Sequence, residues 1–244
     1  MSDFDRNYAT VRGFGADRAV AIDQGLRAHM IRVYNYMAGG VALTGVVAWL
    51  TYQYMLSNPQ FATTLFRSPL AFVVMLAPLA LVFFLSFKIG SLQASTARTL
   101  FFVYAGMLGV SLSMIFLAYT ATSITRVFFV TAASFGALSL WGYTTQRNLD
   151  AMGSFMIMGL FGLIIASLVN IFLKSSGLDW ALSVIGVLIF AGLTAWDTQK
   201  IKEFYDPMDD GTIAGRKAVM GALSLYLDFI NMFLFLLRLF GDRR

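Results

Sequence analysis

Cysteine is absent from the 244-residue chain, and histidine occurs once, as His29. The missing cysteines exclude disulfide bonds, thiolate metal sites and cysteine nucleophiles, and a single histidine excludes a multi-histidine metal site. Charge is also scarce, because only 13% of the residues are Asp, Glu, Lys or Arg, whereas a typical soluble domain has about 25%. This composition excludes an ordinary soluble globular domain.

Hydrophobic residues make up 58% of the chain and are concentrated in long blocks. A helix needs about 20 apolar residues to cross a hydrocarbon core ~30 Å thick. The blocks therefore predict an all-α polytopic membrane protein with seven spans, at 33–56, 69–88, 98–120, 124–145, 153–174, 179–200 and 216–240. This division gives a polar cytoplasmic tail at 1–32 and a single seven-helix transmembrane domain at 33–244.

The basic residues are distributed unevenly between the two sides of the membrane. Twelve of the eighteen Lys and Arg lie on the side of the N-terminus, which predicts a cytoplasmic N-terminus and an outer C-terminus. Arg238, Arg243 and Arg244 favour the opposite placement of the C-terminus, and a last segment that re-enters the membrane would reconcile the two. The segment Met1–Arg32 has no apolar run typical of a cleaved signal. The net charge of +5 is spread over short loops, which indicates topology rather than nucleic-acid binding.

Asp228 is the main candidate for a functional residue. A charged side chain inside a span costs ~2.5–3.5 kcal/mol on insertion scales and marks a functional site by default. Asp228 lies ~9 residues beyond the expected membrane entry near Val219, which is ~14 Å deep. It belongs to a stripe whose members recur at steps of four and three, here named the polar seam: Lys217, Gly221, Ser224, Asp228, Asn231, Phe235, Arg238 and Asp242. Such a stripe should face protein or water.

Asp197 is the second candidate, near the inner end of the sixth span and ~27 Å along it from Asp179. The residues alone leave two other interpretations open. Asp197 could be a solvated residue at a helix end, and Asp228 could be a buried carboxylate held by Ser, Asn or Arg partners for packing only. We expect His29 to lie on the solvated surface.

Two segments of the chain carry motifs of a known family. They are Trp196-Asp197-Thr198-Gln199-Lys200-Ile201-Lys202 and Leu223-Ser224-Leu225-Tyr226-Leu227-Asp228-Phe229-Ile230-Asn231, the latter followed by Phe233…Leu236-Leu237-Arg238-Leu239-Phe240-Gly241. They resemble the sixth- and seventh-helix motifs of the Bax-inhibitor family, also called the transmembrane Bax-inhibitor-motif family, and the chain is similar to its bacterial members.

This resemblance implies a central seventh helix with the other six wrapped around it. It also implies a pH-sensitive aspartate pair that controls a calcium-permeable pore, and by position the pair is Asp197 and Asp228. Asn231, Ser224 and Arg238 are the expected supporting residues. Family members have basic partners near the end of the second helix, where Lys88 is the nearest candidate, although no Arg cluster follows it.

The chemistry of such a pair follows from electrostatics. Two carboxylates in a site of low dielectric cannot both ionise cheaply, so they share a proton. Loss of this proton leaves two repelling charges, which separate or recruit a calcium ion through the oxygens of Asp197, Asp228 and Asn231. The expected depths from the inner face, ~3 Å and ~14 Å, differ by ~11 Å. Direct contact is therefore expected to need a tilt of the sixth helix or a break near Gly192.

The leading prediction is a pH-sensitive calcium or cation leak channel of a bacterial inner membrane, with calcium ions, protons and the lipid bilayer as partners and no organic cofactor. The alternative is a regulator without transport activity that binds and restrains a membrane protease, as some bacterial relatives of the family do, through the tail and the loop Lys200–Lys217. No enzymatic activity is expected. An intramembrane aspartyl protease needs Gly-x-Gly-Asp, and Leu225-Tyr226-Leu227-Asp228 does not match it.

Overall fold

A computed structural model of the chain describes residues 3–244, with side chains from residue 23 onward. Over this range the α-helices are α1 (Asp3–Ser57), α2 (Pro59–Arg67), α3 (Leu70–Lys88), α4 (Ala94–Leu112), α5 (Ile115–Ala118), α6 (Ala121–Thr144), α7 (Asp150–Leu173), α8 (Ser176–Glu203) and α9 (Gly211–Phe240). Seven segments are long and apolar enough to cross a membrane: Asp23–Ser57, Leu70–Ser91, Ala94–Ala118, and the helices α6 to α9. The prediction of an all-α membrane protein with seven spans is confirmed.

The first helix extends beyond its predicted span, and the third span is interrupted. Helix α1 continues through the predicted boundary at residue 32 without a helix end. Its buried stripe, which includes Met30, Val33 and Met37, keeps the three-and-four spacing of a helix face past the charged residues that end the hydropathy block. The third span is divided into α4 and α5. The separation of a tail from a transmembrane domain stays a prediction.

The polar connectors cap the helices that follow them. Asn58, Thr120 and Ser175 each accept a hydrogen bond from a backbone N–H in the first turn of α2, α6 and α8. Asp210 accepts from the N–H groups of both Thr212 (2.8 Å) and Ile213 (2.7 Å) at the start of α9. Side chains of this kind satisfy the first N–H groups of a helix, which have no partner within it.

Pro78 lies inside α3 and has no N–H to donate to the carbonyl oxygen of Val74, four residues earlier. The hydroxyl of Ser111 on α4 lies 2.6 Å from this oxygen and donates to it. An unpaired carbonyl inside a membrane costs several kcal/mol. The proline in the second span is therefore tolerated because the neighbouring helix replaces the missing donor.

Helix α9 is the most buried span of the described chain. In the most apolar stretch of α9, 67% of the residues are buried, whereas in that of α7 only 6% are buried. Its main contacts are with α1, α4, α6 and α8, while α3 packs mainly on α4 and α7 on α8. Wrapping of all six other spans around α9 stays a prediction. The exposed side chains of α7 are large and apolar, which suits a helix surrounded by lipid.

Helix α9 crosses the full depth of the bundle. Near its start the guanidinium of Arg216 donates to the carbonyl oxygen of Gly90, in the turn before α4. After its end the N–H of Asp242 donates to Ser123 Oγ (2.9 Å), in the first turn of α6. These two contacts lie at opposite ends of the span formed by α4 and α5, so the alternative of a re-entrant last segment is wrong. We name the two sides of the bundle the N-terminal face, where α9 starts, and the C-terminal face.

Candidate functional site

The site is built where α8 and α9 pack antiparallel. Ile201 of α8 fills the notch left by Gly221 of α9, where an added Cβ would lie 2.9 Å from Ile201 Cγ1. Further along, Phe235 of α9 covers Gly186 of α8, where an added Cβ would lie 2.7 Å from the Phe235 ring. Glycine notches of this kind allow close helix approach in a membrane. Together they fix how far one helix is shifted along the other.

This register brings Asp197 and Asp228 together, with their carboxyl groups within hydrogen-bonding reach. Counted from the Ile201–Gly221 contact, Asp197 lies ~6 Å and Asp228 ~10 Å toward the C-terminal face, so their levels differ by only ~4 Å. The expected separation of ~11 Å is therefore wrong, because α9 begins farther toward the N-terminal face than the level at which α8 ends. Helix α8 runs unbroken from Ser176 to Glu203, and Gly192 is a notch for Met156 of α7 rather than a break.

The carboxyl group of Asp228 is enclosed and incompletely paired. The residue is 4% exposed, and its Oδ2 atom is the single buried side-chain oxygen or nitrogen of the described residues that has no hydrogen-bond partner. Buried polar atoms are almost always paired, so an orphan atom requires an explanation. Two ionised carboxylates can only accept hydrogen bonds, whereas one proton between them turns one group into a donor.

Two cavities meet at Asp197. The deep cavity, with a volume of about 580 Å³, lies between α7, α8 and α9 and is lined by Asp197, Asp228 and mostly apolar side chains. The mouth cavity, with a volume of about 390 Å³, lies toward the N-terminal face and also includes Asp197. Trp196, Asp197 and Ser224 line both cavities. These three side chains therefore stand between the N-terminal face and the interior of the bundle.

The polar seam of α9 follows the same route. Its members Lys217, Gly221 and Ser224 line the mouth cavity, and Ser224, Asp228, Asn231 and Phe235 line the deep cavity. Over this stretch the seam therefore faces the cavities of the bundle. The amide of Asn231 donates from Nδ2 to the carbonyl oxygen of Leu227 (2.8 Å), which leaves its own oxygen for the cavity.

Two of the predicted supporting residues lie away from the pair. Arg238 is exposed near the end of α9, and its guanidinium lies over the ring of Phe235 at 5.4 Å. Lys88 is the exposed last residue of α3, and neither cavity includes it among its described lining residues. The structure therefore brings Asn231 and Ser224 to the pair, but not Arg238 or Lys88.

His29 was missed by the sequence reasoning, and its expected solvated position is wrong. The residue is 6% exposed, lies beside the ring of Tyr205 with centroids 5.7 Å apart, and lines the mouth cavity together with Asp197 and Lys217. It precedes the buried Val33 by four positions, so extension of the buried stripe of α1 by one turn would have included it. The charges of Arg27 and Arg32 concealed that pattern.

Trp196 is held by an ion-pair cluster at the N-terminal face. Its Nε1–H donates to Asp150 Oδ1 (3.0 Å), and Lys200 Nζ lies 2.7 Å from the same oxygen and 3.1 Å from Glu203 Oε2. The other tryptophans are 45–64% exposed, as expected of an aromatic belt at the membrane interface. Trp196 differs from them, because its ring packs on Gly153 of α7 and separates the two cavities.

The site offers few ligands for a resident metal ion. Within the described part of the chain no group of three or more His, Cys, Asp or Glu side chains is placed to hold a metal. Calcium takes six to eight oxygen ligands, and the pair, Asn231 and Ser224 supply only part of such a set. The arrangement suits brief contact with a cation better than permanent storage of one.

Comparison with known proteins gives the same family over nearly the whole chain. The family model described as inhibitor of apoptosis-promoting Bax1 matches residues 26–244. The protein RP147 of Rickettsia prowazekii is 51% identical over 224 residues, which cover 91% of this chain and 92% of the relative. The inner membrane protein YbhL of Escherichia coli K12 is 45% identical over 232 residues, which cover 94% of this chain and 97% of the relative. The chain is thus a multi-pass membrane protein that belongs to the Bax-inhibitor family.

Proposed function

We propose that this protein is a pH-sensitive cation leak of the bacterial inner membrane, with calcium as its main cargo and the Asp197–Asp228 pair as its gate. The observation that carries the proposal is the contact of these two carboxyl groups at the interface of α8 and α9, where both line the deep cavity and Asp197 also lines the mouth cavity. The membrane location is supported by the relative YbhL, which is an inner membrane protein. The proposal gives neither aspartate a catalytic role.

The gate works through the shared proton. With one proton, the pair forms a hydrogen bond that holds α8 against α9 and keeps the two cavities separate. Without it, two unit charges ~4 Å apart repel each other by ~4 kcal/mol at an effective dielectric constant of ~20. A difference of this size changes a two-state equilibrium by roughly a thousandfold. Deprotonation therefore favours separated carboxylates and a continuous path.

Calcium enters this mechanism as cargo. Once separated, the carboxylates present hard oxygen ligands, which calcium prefers, with Asn231 and Ser224 beside them. Because the ligand set is incomplete, the ion keeps part of its hydration and is released again, as conduction requires. Lys200 and Lys217, which line the mouth cavity, are paired with Asp150 and Asp209, so that their charges are partly neutralised along the entry path.

Calcium flux in proteoliposomes tests the proposal. The purified protein is reconstituted around a calcium indicator, and flux is measured from about pH 5 to about pH 8 for the wild type, Asp197→Asn and Asp228→Asn. Flux of the wild type is expected to rise with pH over this range, because the pair loses its shared proton. Each variant has at most one ionisable group in the pair and is expected to lose most of this pH dependence.

Asp179→Asn is the matched control. Asp179 lies in the first turn of α8, at the end of the helix opposite Asp197, so its amide variant has the same chemistry at a site away from the gate. The control should keep the pH profile of the wild type. Unchanged flux profiles in both Asp197→Asn and Asp228→Asn, with the variants monodisperse, would reject the carboxylate gate.

A second candidate function is regulation of a membrane protease by binding. One observation favours it: at the N-terminal face, Phe204 is 62% and Met208 is 83% exposed in the connection between α8 and α9. Large exposed apolar side chains among polar residues are typical of contact surfaces. Co-purification of a protease that is lost in a Met208→Ser variant, together with no calcium flux in the wild type, would favour this candidate over the leak.

A further inference from the structure

The deep cavity has the size and the walls of a site for an organic ligand. Its volume of about 580 Å³ lies in the range of ~300–1,000 Å³ that is usual for small-molecule sites. Apart from the aspartate pair and a few neutral polar groups, its lining is aliphatic or aromatic, with Leu193 and Phe190 on α8 and Leu227 and Phe235 on α9. An apolar molecule would be well accommodated by these walls.

The rim of the cavity on α7 opens toward the bilayer. Three of its lining side chains, Ile164, Leu168 and Ile171, are 49%, 56% and 64% exposed. Helix α7 is the least buried span, so this side of the bundle contacts acyl chains when the protein is in a membrane. A molecule dissolved in the lipid can therefore reach the cavity without passing through the mouth cavity.

The charge inside the deep cavity is negative and uncompensated. Among its described lining residues the charged ones are Asp197 and Asp228, and the buried Oδ2 atom of Asp228 has no hydrogen-bond partner. The basic residues of this region, His29, Lys200 and Lys217, line the mouth cavity instead. Even with one proton shared, the pair presents one negative charge to an otherwise apolar space.

A metal ion does not match this combination, because it needs several oxygen ligands and most of the wall is hydrocarbon. An ammonium or phosphonium ion with apolar substituents does match it. Its charge needs a single carboxylate, its substituents fill the apolar space, and the rings of Trp196, Phe190 and Phe235 offer faces that attract a cation. Such ions also dissolve in the bilayer, from which the cavity is reached.

We propose that the deep cavity is a binding site for lipophilic organic cations, which enter from the bilayer between α7 and α9 and pair with the negative charge shared by Asp197 and Asp228. The site does not depend on the proposed calcium leak. It uses the same pair of aspartates from within the deep cavity, so an occupied site would also block the path between the two cavities.

Binding of tetraphenylphosphonium to the full chain in lipid nanodiscs tests the proposal, without calcium and with empty nanodiscs to subtract partitioning. The wild type is expected to bind saturably, with a stoichiometry of one. The double variant Asp197→Asn, Asp228→Asn should weaken binding about tenfold or more, because the cavity then has no charged residue among its described lining. The uncharged analogue tetraphenylsilane should not compete.

Two neighbouring isoleucines provide a matched pair of variants. Ile164 lines the cavity, whereas Ile165 is 62% exposed and lies outside the lining. Ile164→Trp fills the opening and should weaken binding about tenfold or more, whereas Ile165→Trp adds the same bulk toward lipid and should change it less than about twofold.

The outcomes separate this proposal from the leak. Wild-type affinity in either Ile164→Trp or the double variant Asp197→Asn, Asp228→Asn, or no saturable binding above that of empty nanodiscs, would overturn the cation site. Saturable binding without any pH-dependent calcium flux would reject the leak and leave the cation site standing. Both activities together, with tetraphenylphosphonium reducing the flux, would support the two proposals at one pair of carboxylates.

Discussion

Gly142→Ala is expected to destabilise the bundle next to the aspartate pair. Gly142 lies on α6, and a Cβ there would be 2.8 Å from the carbonyl carbon of Ala195 and 2.9 Å from its Cα, with the carbonyl oxygen closer still. The obstacle is backbone of α8, which no side-chain rotation can remove. Because ordinary carbon contacts are ~3.5–4.0 Å, α6 and α8 must separate by ~1 Å.

The size of the effect can be worked out with a control on the same helix. Overpacking of this kind costs ~1–3 kcal/mol. At Gly136 an added Cβ meets nothing within 4 Å, and Gly→Ala in a helix interior gains up to ~1 kcal/mol. The two variants should differ by ~1–4 kcal/mol. With ~2–4 °C per kcal/mol for a chain of this size, Gly142→Ala should unfold ~2–16 °C below Gly136→Ala.

Thermal unfolding in detergent, followed by circular dichroism and by the monomer peak in size-exclusion chromatography, measures this difference. The pH profile of calcium flux adds a second measurement, because Ala195 precedes Asp197 by two residues and a shift of α8 moves the pair. A midpoint for Gly142→Ala equal to or above that of Gly136→Ala would refute the close contact of α6 and α8 on which the reasoning depends.

Two other predictions concern the hydrogen bonds that hold the spans. Ser111→Ala removes the donor to the Val74 carbonyl oxygen and should lower the free energy of unfolding by ~0.6–1.7 kcal/mol. In a Pro78→Ala background, where the backbone N–H is restored, the same substitution should lower it much less. Equal losses in both backgrounds would contradict this role of Ser111. Asp150→Asn keeps an acceptor for Trp196 Nε1 but loses the charge pair with Lys200, so stability should change by less than ~1 kcal/mol because the pair is partly exposed. Asp150→Ala removes the acceptor as well and should shift the fluorescence of Trp196. The measurement uses a background in which the other tryptophans, Trp49, Trp141 and Trp180, are replaced by Phe. Identical spectra for the Asn and Ala variants would exclude a positioning role of Asp150.

Much of the fold was predictable because it depends on local properties. The hydropathy blocks predicted five spans to within a few residues of the observed helices, namely those of α3, α6, α7, α8 and α9. This agreement is expected because each span must satisfy its own backbone hydrogen bonds in lipid. The continuation of α1 before residue 33 was not predicted, because Arg27 and Arg32 interrupt the hydropathy block while the buried face of the helix continues. The same interruption hid His29, whose burial depends on its contact with Tyr205.

The candidate site was predictable in part. The spacing of the polar seam on α9 placed Ser224, Asp228 and Asn231 on one face, and the structure has these residues along the deep cavity. Asp197 was a candidate from its position in the sixth span, and the motif resemblance paired it with Asp228. The roles expected of Arg238 and Lys88 rest on the resemblance alone, and their positions at helix ends leave them without contact to the pair, because neither helix end reaches the depth at which α8 and α9 hold the carboxyl groups.

The sequence by itself determined that the chain crosses a membrane seven times, which residues form the polar face of the last helix, and that this helix carries an acid deep in the bilayer. These properties follow from hydropathy and from the period of a single helix. Only the tertiary structure decided that Asp197 meets Asp228 and that two cavities meet at Asp197. The shift between α8 and α9 is set by side chains that enter notches on the other helix, Ile201 at Gly221 and Phe235 at Gly186, and a match between surfaces distant in the sequence leaves no local pattern to read.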